Sequence, residues 1–562
     1  MRIFFSFLCL LQLSIGTVFG AEVMKAGEWI TMDKAVESKG LKKHGAVLGN
    51  CDSGDWVAFG PLDLQDGLVD RIEIELAAPE TKGEIVVRLD SPKGSKVGQV
   101  NIRETGGYGK VVAQQGHSEQ LAGVHRIVLV FENGKHLCNI KAFRFLKPGQ
   151  KGTKGAFGPD ESPEDGLLIP IDEVLEANRE GIEANRTTMV EFHTAPGARV
   201  KIQQKRHHFE FGTAINWMGF LPNEKIKPAD QEIYKKTILE NFNSVVHENA
   251  MKWYSHEREE GVLKFSKAEA MLAWSNDNDL FTRGHCVYWG RDNLVPQWQK
   301  ELNEASLREK LKSRAKTYME RFGDLKEHDM NNEMVHCNYY KKRLGPEIWE
   351  QMFEWCHEFS PESVLYVNDY SILSGGDTQK YVKQIDGFLK AGVKLGGIGV
   401  QGHFGGGRIN AKAIKTKLDQ LAQFDLPIKI TEYDANTKNE NRKSESLLTL
   451  YTTAFAHPAV KGIYMWGFWE KRHWRPNAAI WKSDWTMTQT AKLYRELVFK
   501  RWWTDESVVA DEKGVCRVRV FHGQHQVSIN GVSRVIDITP AHGEATMDCR
   551  TSKPDSWVLK AK

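Results

Sequence analysis

Between Phe209 and Phe468 the sequence alternates strand-like runs with amphipathic helical stretches, and this limits the possible folds more than any other feature. Eight strand candidates follow one another: Phe209–Asn216, Ser244–His247, Phe281–Trp289, Lys326–Val335, Val364–Ser371, Gly396–His403, Ile428–Asp434 and Gly462–Phe468. Their starts are roughly 32–45 residues apart, the length of a βα unit. Helical stretches such as Glu301–Glu320 and Ile409–Leu421 lie between them. Eight such units predict a (β/α)8 barrel over 209–503. A doubly wound open sheet is the alternative; it is disfavoured because no strand is followed by a G-x-G-x-x-G turn.

Within this pattern Glu327–Val335 is anomalous. A central barrel strand is expected to be nearly continuously apolar, and Asp and Asn are depleted from strands because they compete for backbone hydrogen bonds. This stretch runs through Asp329 to Asn331, Asn332 and Glu333. It reads either as a polar loop or edge strand or as a strand carrying chemistry. A second run, Ile428–Asp434, has a clear strand pattern with Glu432 near its C-terminal end. Two carboxylates delivered by two strand ends suit hydrolysis of a glycosidic bond. Barrel active sites lie at the C-terminal ends of the strands. There the sequence places Asn216, then Glu248, Asn249 and Lys252, His285 and Trp289, Asn332 and Glu333, Asn368, Asp369 and Tyr370, Gln401 and His403, Glu432 and Asp434, and Trp466. Polar or aromatic residues at nearly all eight ends point to one polar, aromatic-rimmed pocket.

At 562 residues the chain is expected to hold three or four domains. Its 76 basic and 73 acidic residues leave a net charge of +3 with no block of one sign, which implies neither nucleic acid nor an anionic membrane as partner. The 17 Trp fit either a large core or stacking against sugar rings. Residues 1–20 read as a secretory signal peptide, Met1-Arg2 followed by an apolar run and a plausible cut before Ala21, so a secreted or periplasmic location is expected. Seven further cysteines show no CxxC pair and no Cys/His zinc spacing, so neither a metal nor a cofactor is expected. Cys51–Cys138 and Cys516–Cys549 each fall within one segment and could bridge, which sequence alone leaves open.

Residues 21–146 read as short strands punctuated by Gly, Pro and Asp, an all-β sandwich pattern. A Gly/Pro-rich linker follows over 147–166. Residues 167–208 read as a helix, Asp172–Arg186, and a β-hairpin turning at Ala195-Pro196-Gly197 that leads into the barrel. Residues 504–562 read as a small C-terminal β segment with two alternating runs and an Asn530-Gly531 turn.

Two resemblances sharpen this. The run from Glu84 through Gly98, then Thr105-Gly106-Gly107-Tyr108, then Gly123 through Phe131, resembles a family 6 carbohydrate-binding module. The resemblance implies sugar contacts from Tyr108 and Asn139. The usual partner aromatic should precede Gly54-Asp55-Trp56, where this chain has Gly49-Asn50-Cys51-Asp52. Asn241 through Trp253, Arg283 through Trp289, Asp329 through Glu333, Asn368-Asp369-Tyr370, Val400 through His403, Ile430 through Asp434 and Tyr464 through Gly467 are together similar to glycoside hydrolase family 10, the retaining endo-1,4-β-xylanases.

The second resemblance implies Glu333 as general acid/base and Glu432 as nucleophile. A retaining mechanism asks the same of them: one carboxylate ionised to attack, the other holding a proton at rest, the two about 5–5.5 Å apart. It implies that Asn332 bonds the sugar 2-hydroxyl and that His403 orients Glu432. Glu248, Asn249, Lys252, His285, Trp289, Gln401, Trp466 and Trp474 would hold glycone sugars, with Tyr370 and Asp434 supporting. The chain departs from the family at His328, where Trp is usual, and at Glu470, where Asp is usual, with Trp469 before it. Three functions stay open: a monomeric endo-xylanase acting on xylan, a retaining glycosidase for another β-linked polysaccharide, and a non-catalytic glycan-binding protein.

Overall fold

A computed structural model of the chain describes residues 23–64, 69–80, 83–121, 123–147, 150–156, 170–405, 409–551 and 553–562. The expected signal peptide, 1–20, and positions 148–149 and 157–166 of the expected linker lie outside the described residues. The chain divides into two compact units, the first running to the linker and the second holding the rest.

The N-terminal unit is all β. Trp56–Asp63, Val124–Glu132, Glu84–Leu89 and Lys96–Asn101 pair in that order, and Asn139–Leu146 pairs antiparallel with Val69–Ala77. Alternate residues point inward: Val57 and Phe59, Ile72 and Ile74, Ile85 and Val87, Ile127, Leu129 and Phe131, Phe143 and Phe145 form one buried core. The period of two in the sequence is therefore the packing of a sandwich. Each such side chain, once buried, contributes ~1.5–3 kcal/mol. Cys51 and Cys138 are both buried as free cysteines, and their thiols hydrogen-bond to each other.

The second unit holds the barrel. Its strands are β1 (Glu210–Ile215), β2 (Ser244–His247), β3 (Phe281–Trp289), β4 (Glu327–Asn332), β5 (Val364–Asp369), β6 (Gly397–Val400), β7 (Ile428–Ala435) and β8 (Val460–Met465). All neighbours pair in parallel, and β8 returns to β1, so the sheet closes. Amphipathic helices cover it. Glu304–Phe322, for example, buries Leu307, Leu311, Ala315, Tyr318 and Phe322, which lie three or four residues apart, and Asn303 caps its start by accepting from Ser306 N at 2.9 Å.

The barrel interior explains the anomalous strand. Small barrels are ordinarily filled by branched apolar side chains. Here Lys429 on β7 lies between Glu210 on β1 and Glu327 on β4, with Nζ 2.6 Å from Glu210 Oε2 and also paired to Glu327 Oε2. Arg283 on β3 continues the chain of charges, 3.4 Å from Glu327 and 2.8 Å from Asp329. Burial drives the Arg283 charge toward loss, and the two carboxylates more than restore it. Asp329 responds in kind: burial raises it, but Arg283 and His285 hold it below the usual carboxylate value. Glu327 and Asp329 thus fill the barrel with paired charge. The β4 strand is shorter than its sequence pattern indicated, ending at Asn332 rather than Val335, because Glu333 turns the backbone at φ +62°.

His328 fits this strand without a catalytic part. Its ring is buried against Tyr318, centroids 5.5 Å apart, and Nε2 bonds Leu325 O at 3.0 Å.

The hairpin reading of 187–204 is corrected. Thr187–His193 and Arg199–His207 do not pair with each other. The first pairs with Val515–Phe521 and Ala545–Asp548, the second with Asp505–Val509 and Gly523–Ile529. Two four-stranded sheets result, and Val190, Phe192, Val200, Ile202, Val518, Val520, Val527 and Ile538 meet in one core. The segments before and after the barrel are thus one small sandwich interrupted by it. Alternation shows which face of a strand is buried but not which strand lies beside it, so a tight corner between sheets looks like a hairpin.

Candidate active site

Glu333 sits at the first turn after β4. Its left-handed backbone costs a side-chain-bearing residue about 1–3 kcal/mol. Its N–H donates to Asn368 O on β5 at 2.8 Å, and its carbonyl accepts from His336 N at 3.0 Å and Cys337 N at 2.6 Å. The side chain is 6% exposed. Trp289 Nε1 donates to Oε2 at 2.9 Å, Cys337 Sγ to the same oxygen at 3.4 Å, and Gln401 Nε2 to Oε1 at 3.1 Å. All three donors are uncharged.

Glu432, on β7, is 4% exposed and has different company. Asn368 Nδ2 donates to Oε1 at 2.9 Å, and His403 Nε2 lies 3.3 Å from Oε2. Burial alone would raise its proton affinity. The hydrogen bond from His403, with the charges of His285, His403 and Lys252, more than cancels this, and the carboxyl sits below its usual value. His403 is itself held between two carboxylates, with Nδ1 3.0 Å from Asp434 Oδ2. Burial opposes its charge, but Asp434 and Glu432 together raise it to about 9, so it is an imidazolium at neutral pH. Asp434 is raised by burial but lowered further by His403 and Arg475; it also accepts from Trp474 Nε1 at 2.8 Å and Arg475 Nη1 at 3.1 Å.

The strand after β5 explains how these groups reach one another. Asn368 must cross above β6 to meet Glu432, and β6 reads Gly397-Ile398-Gly399-Val400. A Cβ on Gly399 would lie 2.7 Å from Asn368 Oδ1. The glycine leaves that space. Asn368 also donates to Asn332 Oδ1 at 2.9 Å and accepts from Thr431 Oγ1 at 2.6 Å, so one amide ties β4, β5 and β7.

The remaining expected residues gather around this pair. Lys252 Nζ bonds Asn249 Oδ1 at 3.1 Å and lies 4.6 Å over the Trp289 ring and 5.6 Å over Trp466. Glu248 accepts from Asn216 Nδ2 at 2.7 Å. His285 bonds Asp329 through Nδ1 at 2.8 Å, packs edgewise on Trp466 at 5.1 Å, and leaves its buried Nε2 without a protein partner. Tyr370 stacks on His336 at 3.8 Å, and His336 is clamped by Asp369 at 2.6 Å and Asp377 at 3.2 Å. Trp474 is 48% exposed, with the Arg475 guanidinium 4.1 Å above its ring.

Two further placements bear on the site. Gln401 and Trp289, expected among the sugar-holding residues, hydrogen-bond the Glu333 carboxylate. Trp469 and Glu470 serve their own loop: Trp469 is buried in a stack with Trp485 at 4.2 Å, and Glu470 accepts from Ser483 N at 2.8 Å and Oγ at 2.6 Å. Sequence reasoning missed Cys337, Arg475 and the bridging role of Asn368. Only Asn368 carried a signal, an amide inside an otherwise apolar strand.

In the N-terminal unit the two expected contact residues are neighbours. Tyr108 is 44% exposed, its hydroxyl donates to His136 O at 2.6 Å, and Asn139 Nδ2 donates to Tyr108 O at 3.3 Å. Among the described residues, no group of three or more His, Cys, Asp or Glu is arranged to hold a metal ion.

Comparison with known proteins places these sites in context. Residues 21–147 match the model of Carbohydrate binding module (family 6). The chain is 34% identical over 334 residues to anti-sigma-I factor RsgI6 of Acetivibrio thermocellus, covering 59% of this chain and 42% of that one. It is 34% identical over 340 residues to endo-1,4-beta-xylanase 1 of Arabidopsis thaliana, covering 59% of this chain and 34% of the relative. The chain thus spans less than half the length of these two relatives. Among solved structures, native xylanase 10B from Thermotoga maritima is 26% identical with a TM-score of 0.48, covering 52% of this chain and 96% of that one. The family model that takes in the barrel, both buried carboxylates and the residues bonded to them spans 201–498, more than half the chain, and by that match the chain belongs to Glycosyl hydrolase family 10.

Proposed function

We propose that this chain is a retaining endo-1,4-β-xylanase that cleaves internal bonds of xylan by double displacement. One observation carries the reading: two buried carboxylic residues, each hydrogen-bonded to both Asn368 and Gln401, stand in opposite surroundings. Glu432 is held ionised among His403, His285 and Lys252, whereas Glu333 receives only neutral donors.

In this reading Glu432 attacks the anomeric carbon while Glu333 protonates the departing oxygen. The glycosyl-enzyme ester removes the negative charge of Glu432. Glu333, now without its proton, takes one from water, which attacks the same carbon and restores both groups. In the same reading Asn332 bonds the sugar 2-hydroxyl, an interaction that strengthens as the ring flattens. Lys252, His285 and the Trp466 and Trp474 indoles bind the glycone. The names of several relatives, including the Arabidopsis protein and endo-1,4-beta-xylanase B of Thermotoga neapolitana, support the substrate. The N-terminal module would keep the enzyme on polymer by raising its local concentration, the protein acting as a monomer after export directed by residues 1–20.

Product analysis on glucuronoxylan and linear xylan, comparing wild type with Glu432→Ala, tests this. Short xylo-oligosaccharides of retained anomeric configuration from wild type, and none from the variant, are expected. Wild type that releases nothing from xylan but cleaves another β-glycan would reassign the substrate, and binding without cleavage of any polymer would end the enzymatic reading.

A further inference from the structure

We infer that Cys337 is a positioning residue for Glu333, its thiol holding the acid/base carboxyl in place from the side opposite Gln401. The inference rests on the activity proposed above. Its basis is geometric. The Glu333 carbonyl accepts from both His336 N and Cys337 N, forming a single helical turn. Residues four apart on such a turn share a face, so the Cys337 side chain folds back over Glu333, with Sγ 3.4 Å from Oε2. That oxygen also receives Trp289 Nε1, and Oε1 receives Gln401 Nε2. The carboxyl is therefore fixed by three neutral donors from three elements, and the thiol is the one that comes from its own turn.

A thiol is a weak donor, and it donates only while protonated. Burial first, and the Glu333 carboxylate second, push the Cys337 thiol up to about 12, so it stays protonated through the working range. Other titratable or charged groups facing this corner are Cys286 on β3, Arg291 just beyond it, and Asp369 and Tyr370 at the end of β5. Asp369 is already engaged by His336.

Two measurements test the assignment. The first is steady-state hydrolysis of aryl β-xylobiosides with good and poor leaving groups, because only the poor ones need proton delivery. Cys337→Ala is expected to lower kcat about 3–10-fold on the poor leaving group, with little change on the good one. It should also move the alkaline fall of activity to higher pH, because the carboxylate has lost a donor. Cys337→Ser should recover most of both effects. An Ala variant indistinguishable from wild type, or equal losses for Ala and Ser on both substrates, would overturn the assignment. The second measurement needs no turnover, so it decides the matter even if wild type proves inactive on xylosides. Iodoacetamide labelling of Cys337 at pH 8, followed by peptide mass, is expected to accelerate about 3–10-fold in Glu333→Gln, because the adjacent negative charge that keeps the thiol protonated is gone. Equal labelling rates would overturn it.

Discussion

Asn368 and Glu432 stand on strands two apart in the barrel, yet the amide nitrogen of one lies 2.9 Å from a carboxylate oxygen of the other. The bond is charge-assisted and buried, so it is worth more than an ordinary side-chain pair. Asn368→Ala removes it and frees Asn332 at once. A loss of about 10–100-fold in kcat is expected, with the acidic limb of the pH profile moved upward because ionised Glu432 has lost a donor. Steady-state kinetics from pH 4 to pH 8 checks both.

The same bond needs empty space beneath it. Gly399→Ala would put a methyl group 2.7 Å from Asn368 Oδ1 and 2.8 Å from Val367 O. One of those atoms is backbone and cannot swing away. We expect the substitution to reproduce most of the Asn368→Ala loss although residue 399 bears no functional group. A Gly399→Ala enzyme with wild-type kcat would refute this account of β6.

His403 sets a pH window for stability. Its folded-state value is raised to about 9 by Asp434 and Glu432 against the opposing pull of burial. A raised group contributes stability in full below its unfolded value of about 6.5 and loses it as pH climbs through about 9. The contribution is on the order of 3 kcal/mol. Urea midpoints of the wild type should fall between pH 6 and pH 9.5, and His403→Ala should show a flatter profile there. The same variant should move the acidic limb of activity upward, since the His403 hydrogen bond is the leading influence holding Glu432 ionised against burial.

Lys429 is 1% exposed and is the shared partner of Glu210 and Glu327. Lys429→Met leaves Glu210 and Glu327 facing each other without their shared cation, and only Glu327 keeps a second one, Arg283 at 3.4 Å. Breaking a buried ion pair from one side costs about 3–5 kcal/mol. Replacing Glu210 and Glu327 by Gln in the Lys429→Met background should return part of this. Urea unfolding of the single and triple variants measures the difference.

In the N-terminal unit, Tyr108 presents an exposed ring whose hydroxyl is already engaged by His136 O. Its available surface is the ring face. Tyr108→Ala should reduce retention on insoluble xylan several-fold and leave kcat on soluble xylo-oligosaccharides unchanged. A sedimentation binding assay on insoluble xylan beside oligosaccharide kinetics separates the two effects.

The barrel was legible in the sequence because its signal is periodic: strand-like runs recur every 32–45 residues or so with amphipathic helical stretches between them. Glu333 and Glu432 were legible because carboxylates at strand ends have few structural uses. The charged interior was not, since Glu327, Arg283 and Lys429 lie far apart along the chain and only closure of the sheet brings them together. Cys337 was hidden for a related reason. The left-handed turn at Glu333 that carries it back over the carboxylate is written nowhere in side-chain pattern. The division of the small sandwich was misread because edge-to-edge pairing and face-to-face packing leave the same alternation in a strand.

That sandwich bears on how the chain is made. Thr187–His193 and Arg199–His207 leave the ribosome long before Asp505–Val509 and Val515–Phe521, the strands that complete their sheets. At about 5–20 residues per second, a gap of roughly 300 residues leaves two alternating, half-apolar edges unpaired for some 15–60 seconds. Such edges invite pairing with other chains. The barrel strands therefore emerge while both sheets of the small sandwich are unfinished, and a chain halted just after residue 503 would carry Glu333 and Glu432 beside edges prone to aggregate.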